Sequence, residues 1–467
     1  MKTNTRGDYC HESNTVSRGR SRALSWSCVI ALSVLPASPA AAASSNVLYS
    51  FNPWPSDGVS TGASPRGTLL RDASGALYGA TSNGGPYYNG TVFKLTPPGP
   101  WETEWAITVL HDFTGGFDGG SPTAPLVMDA SGAIYGTASS GGSWLNDGLV
   151  FKLTPPANGS TEWDYSVVHY FYYSYAYDAD DGANPHGGLI MDASGALYGA
   201  TGFGGSIAGT YIGHGTVFKL TPLDAARTVW QETVLYRFDG GVDGKNPWET
   251  LTLDAQGNLY GTTLYGGAGP CYDGCGTVFR LSPGASAAEP WTKTTLLLFN
   301  GQDGGGAPQG KLLLGTSGAL YGTTYKGGTA PCTDGLGYPI GCGIVFKLTP
   351  PAPGHATWTE FVLLDFNTSN GAFPQGGLIT DGTSLFGTTS MSAPDEYGIF
   401  GDGIVFQLVP PPPGQVLWTQ RVLHNFNVST SGTTAVGELL RAPDGRLYGS
   451  AYSGGAHYAG TIFEITP

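Results

Sequence analysis

D-A-S-G-A-L-Y-G, from Asp72 to Gly79, followed by G-T-V-F-K-L-T-P, from Gly90 to Pro97, decides the fold, because this pair of phrases recurs seven times along the chain. Its Tyr-Gly step returns at Tyr135, Tyr198, Tyr260, Tyr321 and Tyr448, with Phe386 standing in once, at spacings between 57 and 65 residues. A period of that length, dense in turn residues, is the signature of a modular array.

Each copy divides into four short β-prone runs separated by turn chemistry. In the second copy they are Ala124 to Met128, Ala133 to Ala138, Gly148 to Thr154 and Glu162 to Phe171. Asp129 to Gly132 reads as a tight hairpin turn, in which Asp and Ser bond the local backbone and Gly accepts positive φ. Pro155 and Pro156 end the third run, since proline cannot continue a ladder. The fourth run carries a strict spacing: Trp105, Trp163, Trp230, Trp291, Trp358 and Trp418 each stand eight residues before a Phe, from Phe113 to Phe426. Eight is even, so the pattern predicts Trp and Phe on one strand face. Columns of such aromatics are expected to pack sheet against sheet, each covering about 150 to 250 Å²; a ligand platform is the other use of these rings.

The two ends of the array complement each other. Asn46 to Phe51 reads as the end of a fourth run without its Trp, and the last copy stops at Gly460 to Pro467, short of that run. The N-terminal strand therefore completes the final sheet, and a ring closed this way leaves no open outer edge. The expected architecture is all-β: a seven-bladed β-propeller of four-stranded blades over residues 44–467, closed by the N-terminal strand. A monomer is expected.

Composition agrees and narrows the function. With 74 Gly and 33 Pro among 467 residues and only 12% charged, the chain suits strands and tight turns more than helices, while 12% aromatics at fixed intervals argue against disorder. A net charge of -14 repels polyanions, so nucleic acid and anionic membrane surfaces are excluded as partners. Arg18, Arg20 and Arg22 precede an apolar run from Ala23 to Leu35 and a small-residue stretch from Ala37 to Ser45. That is the plan of a secretory signal peptide, residues 1–43 with cleavage near 41–43. The apolar run is too short for a bilayer span, so no membrane insertion of the mature chain is expected. Export makes disulfides the natural state of the two close cysteine pairs, Cys271 with Cys275 and Cys332 with Cys342, with a four-thiolate zinc site as the alternative. Such short loops gain only about 2 to 3 kcal/mol each in the chain-entropy model, so the bridges restrain loops and do not determine the fold.

Alternating strand direction sends the loop after the second run and the link from the fourth run to the next first run to one shared face. Length varies there: from the repeat Tyr (Phe386 in the sixth copy) to the Phe of the next run the distance ranges from 15 to 25 residues, and both cysteine pairs lie in these loops. Insertions confined to one rim suit a ligand-facing surface. The links on that face carry D-G-x-x-P at Asp118, Asp181 and Asp243, with looser versions at Asp57 and Asp303. A ring of these carboxylates has the chemistry to hold calcium or to bind sugar hydroxyls, whereas Asp-Gly before Pro is also an ordinary turn whose carboxylate bonds its own backbone. Asp180 adjoins Asp181 in an aromatic stretch containing Tyr175 and Tyr177, which makes the third blade the first candidate contact site. His111, His169 and His424 share a slot that accepts Leu297 and Leu364 in other copies, the behaviour of a packing position rather than a metal ligand. Phosphate loops, nucleophile elbows and metalloprotease helices are missing from the sequence.

The combined phrase L-Y-G-x-T, G-G, G-T-V-F-K-L-T-P and V-L-x-x-F resembles the bacterial extracellular tandem repeats called Gloeo/Verruco, or GloVer, repeats, from Asn46 to Pro467. Departures are Phe386 for Tyr, Ser390 to Pro394 in place of Gly-Gly, and Gly315 where other copies have Asp. The resemblance implies an exported repeat protein and brings no catalytic residues. The sequence thus leads to an exported binding module for a glycan or an extracellular protein that needs no cofactor. The alternatives are a propeller lyase or glycoside hydrolase with an acidic axial site, and an inert surface protein.

Overall fold

In the computed structural model the described residues are 43–467 apart from 55–57, 59, 158–159, 173–180, 206–212, 287–288, 334–336 and 395–399. Residues 1–42 of the expected signal segment lie outside them. Seven four-stranded antiparallel sheets follow one another along the chain as the blades of a β-propeller. Blade 1 comprises Ala63–Arg71, Leu77–Asn83, Thr91–Thr96 and Ala106–Asp112. Blades 2 to 6 begin at Val127–Met128, Ile190–Met191, Thr252–Leu253, Gly306–Leu314 and Ile379–Thr380. Blade 7 takes Leu440–Arg441, Leu447–Ala451 and Thr461–Thr466 from the C-terminal end, and its outermost strand is Ser44–Ser50 from the other end of the chain. Ser45 pairs with Ile465 and Val47 with Phe463, and the Phe51 amide donates to the Gly460 carbonyl at 3.0 Å.

The repeated phrase is explained residue by residue. Asp72 Oδ1 accepts hydrogen bonds from the Ser74 amide at 2.9 Å, the Ser74 hydroxyl at 2.6 Å and the Ala76 amide at 3.0 Å, and Oδ2 accepts from the Tyr78 hydroxyl at 3.0 Å. One carboxylate therefore satisfies the hairpin turn and pins the tyrosine of the next strand. The glycine after that tyrosine is required by close approach: a Cβ at Gly79 would lie 2.7 Å from Phe93 Cζ and 2.9 Å from Leu69 Cδ2. Removing the side chain lets the phenylalanine ring of the third strand lie flat over the second.

Aromatic pairs hold each blade to the next. Phe113 meets Phe151, Phe171 meets Phe218, Phe238 meets Phe279, Phe299 meets Phe346, Phe366 meets Phe406 and Phe426 meets Phe463. Phe51 and Phe93 close the circle, and every pair is edge-to-face with centroids 5.0 to 5.4 Å apart. Edge-to-face geometry places ring hydrogens on a neighbouring π face, adding to the area each ring buries.

The expectation that Trp and Phe of the fourth strand share a face is overturned. Val92 pairs with His111 but Phe93 with Val109, so Leu110 is an extra residue in the outer strand. The same bulge recurs in blades 2 to 6 and in the Ser44–Ser50 strand. One inserted residue inverts the alternation beyond it. Trp105 consequently packs with Phe51 and Phe93 on the side of the preceding blade, and Phe113 packs with Val92 and Phe151 on the side of the following one. Trp163 packs edge-on against Tyr78 of the preceding blade at 6.3 Å, and Trp230 against Tyr135 at 5.8 Å. Each outer strand thus grips both of its neighbours.

Candidate functional site

The links that carry D-G-x-x-P run along the loop face, bridged to the loops after the second strands by the pairs Gly120 with Ser140, Ala183 with Phe203 and Lys245 with Tyr265. Their carboxylates are engaged in the seams between blades. Asp118 accepts from the Thr114 amide at 2.9 Å and from the Thr114 hydroxyl, and His111 Nε2 stands 3.3 Å away. Asp181 accepts from the Tyr172 amide at 2.8 Å and lies 2.8 Å from His169 Nε2. Asp243 accepts from the Tyr236 hydroxyl at 2.9 Å, and Lys293 of the next blade pairs with it at 2.7 Å. Asp303 accepts from the Asn300 side-chain amide at 2.9 Å. Asp57, Asp180, Tyr175 and Tyr177 lie outside the described residues.

The histidine slot has a use that sequence reading missed. Where the link bears the D-G-x-x-P aspartate, the slot holds a polar residue facing it: His169 and Tyr236 hydrogen-bond with Asp181 and Asp243, and His111 stands 3.3 Å from Asp118; where it holds Leu364, the link has Asn370 instead. Slot and link vary together in these four copies, while His424, whose link bears no such aspartate, does not follow them. The cysteines form two disulfides, Cys271 with Cys275 and Cys332 with Cys342, with Cα separations of 5.1 and 5.0 Å. No thiolate remains at these four positions for zinc. Among the described residues no three His, Cys, Asp or Glu side chains cluster as a metal site would require.

Exposed aromatic side chains concentrate on this loop face. Trp54 and Tyr88 lean together at 5.5 Å, and Phe117 meets Trp144 edge-on at 5.6 Å, in each case a link residue beside a loop residue. Tyr87, Tyr272, Tyr338 and Tyr458 extend the set around the ring; Trp144 is 92% and Tyr272 95% exposed. On the opposite face only Trp101, among the described residues, is comparable. Between the loops of blades 4 and 5 runs a groove of about 810 Å³, with Tyr272 on one wall, Tyr338, Pro331 and Ile340 on the other, and Gln302 and Lys326 at its polar edge. One disulfide braces each wall.

A second concavity lies on the axis, where the first strands of all seven blades converge around a chamber of about 270 Å³. The strands come close because small residues sit at the point of approach: a Cβ at Gly437 would lie 2.6 Å from the Gly67 carbonyl oxygen. Arg66, His186, Trp248, Glu249, Lys311 and Glu438 line the chamber. The Arg66 guanidinium lies 5.2 Å over the Tyr452 ring, and His186 stacks on Trp248 at 5.3 Å. Burial pushes the Glu249 carboxyl up to about 7, with the Gly310 amide and Arg66 opposing and Glu438 adding to the rise. Burial also raises Glu438, against Lys311 and a 3.3 Å hydrogen bond donated by Thr68. Burial, reinforced by Arg66, lowers His186 to about 4. At neutral pH the histidine is uncharged and Glu249 is partly protonated.

A closed seven-bladed propeller with an aromatic loop face and a polar axial chamber is thus the class of protein that the geometry defines. The chain belongs to the Gloeobacter/Verrucomicrobia repeat family, whose model matches residues 37–268, 165–336 and 273–467. No curated protein matches it. Among solved structures it is similar to the extracellular domain of a B. thetaiotaomicron protein assigned as a one-component system, at 13% identity and a TM-score of 0.45 over 90% of this chain and 42% of that one. It is similar to a Thermus thermophilus protein assigned as an oxidoreductase (glucose dehydrogenase), at 13% identity and a TM-score of 0.41 over 91% and 100%. It is also similar to Trypanosoma rangeli sialidase, at 11% identity and a TM-score of 0.39 over 92% and 60%. Nothing about this chain's site follows from these likenesses.

Proposed function

We propose that the protein is an exported, monomeric binding module that takes a glycan on its loop face. The observation that carries this reading is the set of exposed Trp and Tyr side chains gathered on the elaborated rim and nearly absent from the opposite one. Aromatic surface left in water is unfavourable by about 25 cal/mol per Å², and a concentration of exposed rings on one face suits a surface used for binding. Hexose rings present a C–H face that stacks on flat aromatics and hydroxyls that bond to groups such as Gln302 and Lys326. The groove between blades 4 and 5 offers both. Export is supported by the two disulfides, which persist in oxidising compartments. On the loop face, engagement of the link carboxylates within the protein favours binding over acid–base hydrolysis there, which needs two carboxyls free to face substrate.

The test is a glycan array probed with purified mature protein, with and without calcium, beside Trp144→Ala and Tyr272→Ala variants whose folding is verified by melting. Glycan capture that falls at least tenfold in one of the variants is expected. Silence across the array, or capture that neither substitution alters, would overturn the reading.

A further inference from the structure

The axial chamber holds an arrangement that the propeller fold does not require. Arg66 and Lys311 line it together with Glu249 and Glu438, and among the described residues neither cation lies within 4 Å of a carboxylate. Cations removed from bulk water are usually paired, because desolvation costs more than partial hydration returns. Here the paired alternative was close at hand: Glu438 stands near enough to Lys311 to feel its field, and Glu249 near enough to feel Arg66, yet neither contact closes into a bridge. Glu438 takes its hydrogen bond from Thr68 instead. Arg66 is held from the side by the Tyr452 ring, which leaves its in-plane N–H fork unused by any carboxylate.

Two orphaned polar atoms belong to the same lining. Thr123 Oγ1 and Trp248 Nε1 are inaccessible to solvent and have no hydrogen-bond partner. Both atoms are closed off from the chamber, Trp248 Nε1 against Gly202, so neither is a contact for a molecule bound there. The residues concerned come from blades 1, 2, 4, 5 and 7, so nothing but closure of the ring brings them together.

We infer that the axial chamber binds one small carboxylate that also carries hydroxyl or amino groups, its carboxylate held by Arg66 and Lys311 and its donors received by Glu249 and Glu438. A cavity of about 270 Å³ lies just below the usual range for small-molecule sites, about 300 to 1,000 Å³, which limits the ligand to about one sugar ring or one amino acid. Sugar acids and amino acids share this chemistry, and the experiment separates them. The site is independent of the loop-face reading, since it uses none of the aromatic side chains invoked there.

Isothermal titration of the mature protein with D-glucuronate, D-glucose and L-aspartate is the direct test. Glucuronate or aspartate is expected to bind, identifying the source, while glucose binds at least tenfold more weakly or not at all. Arg66→Gln and Lys311→Gln are each expected to weaken the bound carboxylate at least tenfold, with Arg66→Lys intermediate, and the affinity should fall with added salt. Trp144→Ala should leave this binding unchanged, and Arg66→Gln should leave glycan capture unchanged, so failure of one site is distinguishable from failure of the other. Absence of binding by both carboxylates, or affinities within twofold of wild type in folded Arg66→Gln and Lys311→Gln proteins, would overturn the inference.

Discussion

Phe51 and Phe93 meet edge-to-face at 5.2 Å across the seam where the N-terminal strand, seated in blade 7, faces blade 1. Both rings are fully buried, and their contact repeats the one made at every other blade interface. The seam that closes the circle is therefore built like the six covalently continuous ones.

Phe51→Ala should cost about 3 to 5 kcal/mol, the usual penalty for truncating a buried phenylalanine. Phe238→Ala, the same position in an internal interface, should cost a similar amount. Urea denaturation of both variants checks this; a nearly neutral Phe51→Ala beside a costly Phe238→Ala would mean that the closing strand contributes little.

Lys293 is 4% exposed, pairs with Asp243 at 2.7 Å and lies 5.3 Å over the Phe238 ring. Lys293→Met should destabilise by about 3 to 5 kcal/mol, because it leaves a carboxylate without its partner in a blade seam. Adding Asp243→Asn should restore part of the loss. Equilibrium unfolding of the single and double variants measures the coupling.

The turn aspartates make stability sensitive to acid. At Asp129 burial would raise the carboxyl, but hydrogen bonds from Ser131, Tyr135 and Ala133 outweigh it and hold the group below its ordinary value; Asp72, Asp192 and Asp254 behave alike. A lowered folded value contributes stability above the unfolded value, about 3.9, and loses it as pH falls through the folded one. Glu232 and Glu360 act in the opposite sense: burial, aided by Asp181 and Asp303 respectively, pushes each up to about 7. Their contribution is complete below about 4.3 and is lost as pH rises through 7. Melting temperature should therefore peak in weak acid. Asp129→Ala should flatten the acid limb, and Glu232→Gln with Glu360→Gln the neutral one.

Reducing both disulfides should lower stability by no more than about 2 to 3 kcal/mol each, since they close short loops. Far-ultraviolet circular dichroism should stay unchanged while glycan capture by the groove between blades 4 and 5 weakens, because both of its walls lose their brace. Unfolding on reduction would show that the bridges support the blades as well.

Much of this architecture is legible in the sequence because it is local and repeated. Asp72 to Gly79 specifies a turn, a pinned tyrosine and a glycine under a phenylalanine ring, all within one hairpin. Repetition then multiplies a weak local signal seven times. Pairing of Cys271 with Cys275 and of Cys332 with Cys342 follows from proximity in the chain. The bulge at Leu110 was not legible, since the even Trp-to-Phe spacing looks like regular alternation until the register against Thr91–Thr96 is known. The aspartates of the links were visible, and Asp118 and Asp181 bond amides of their own turns, as Asp-Gly before Pro allows; Lys293, which reaches Asp243 from the next blade, was not visible.

By itself the sequence determined the number of blades, the strands in each and the manner of closure, because strand periodicity, turn chemistry and complementary ends are properties of the chain read in order. Tertiary structure alone decided what the axis contains. Arg66, His186, Trp248, Glu249, Lys311 and Glu438 occupy positions where the repeats differ, so no pattern announces them. They become one site only because closing the ring brings seven distant first strands around a common chamber, where solvent is scarce and charges from different blades act on one another.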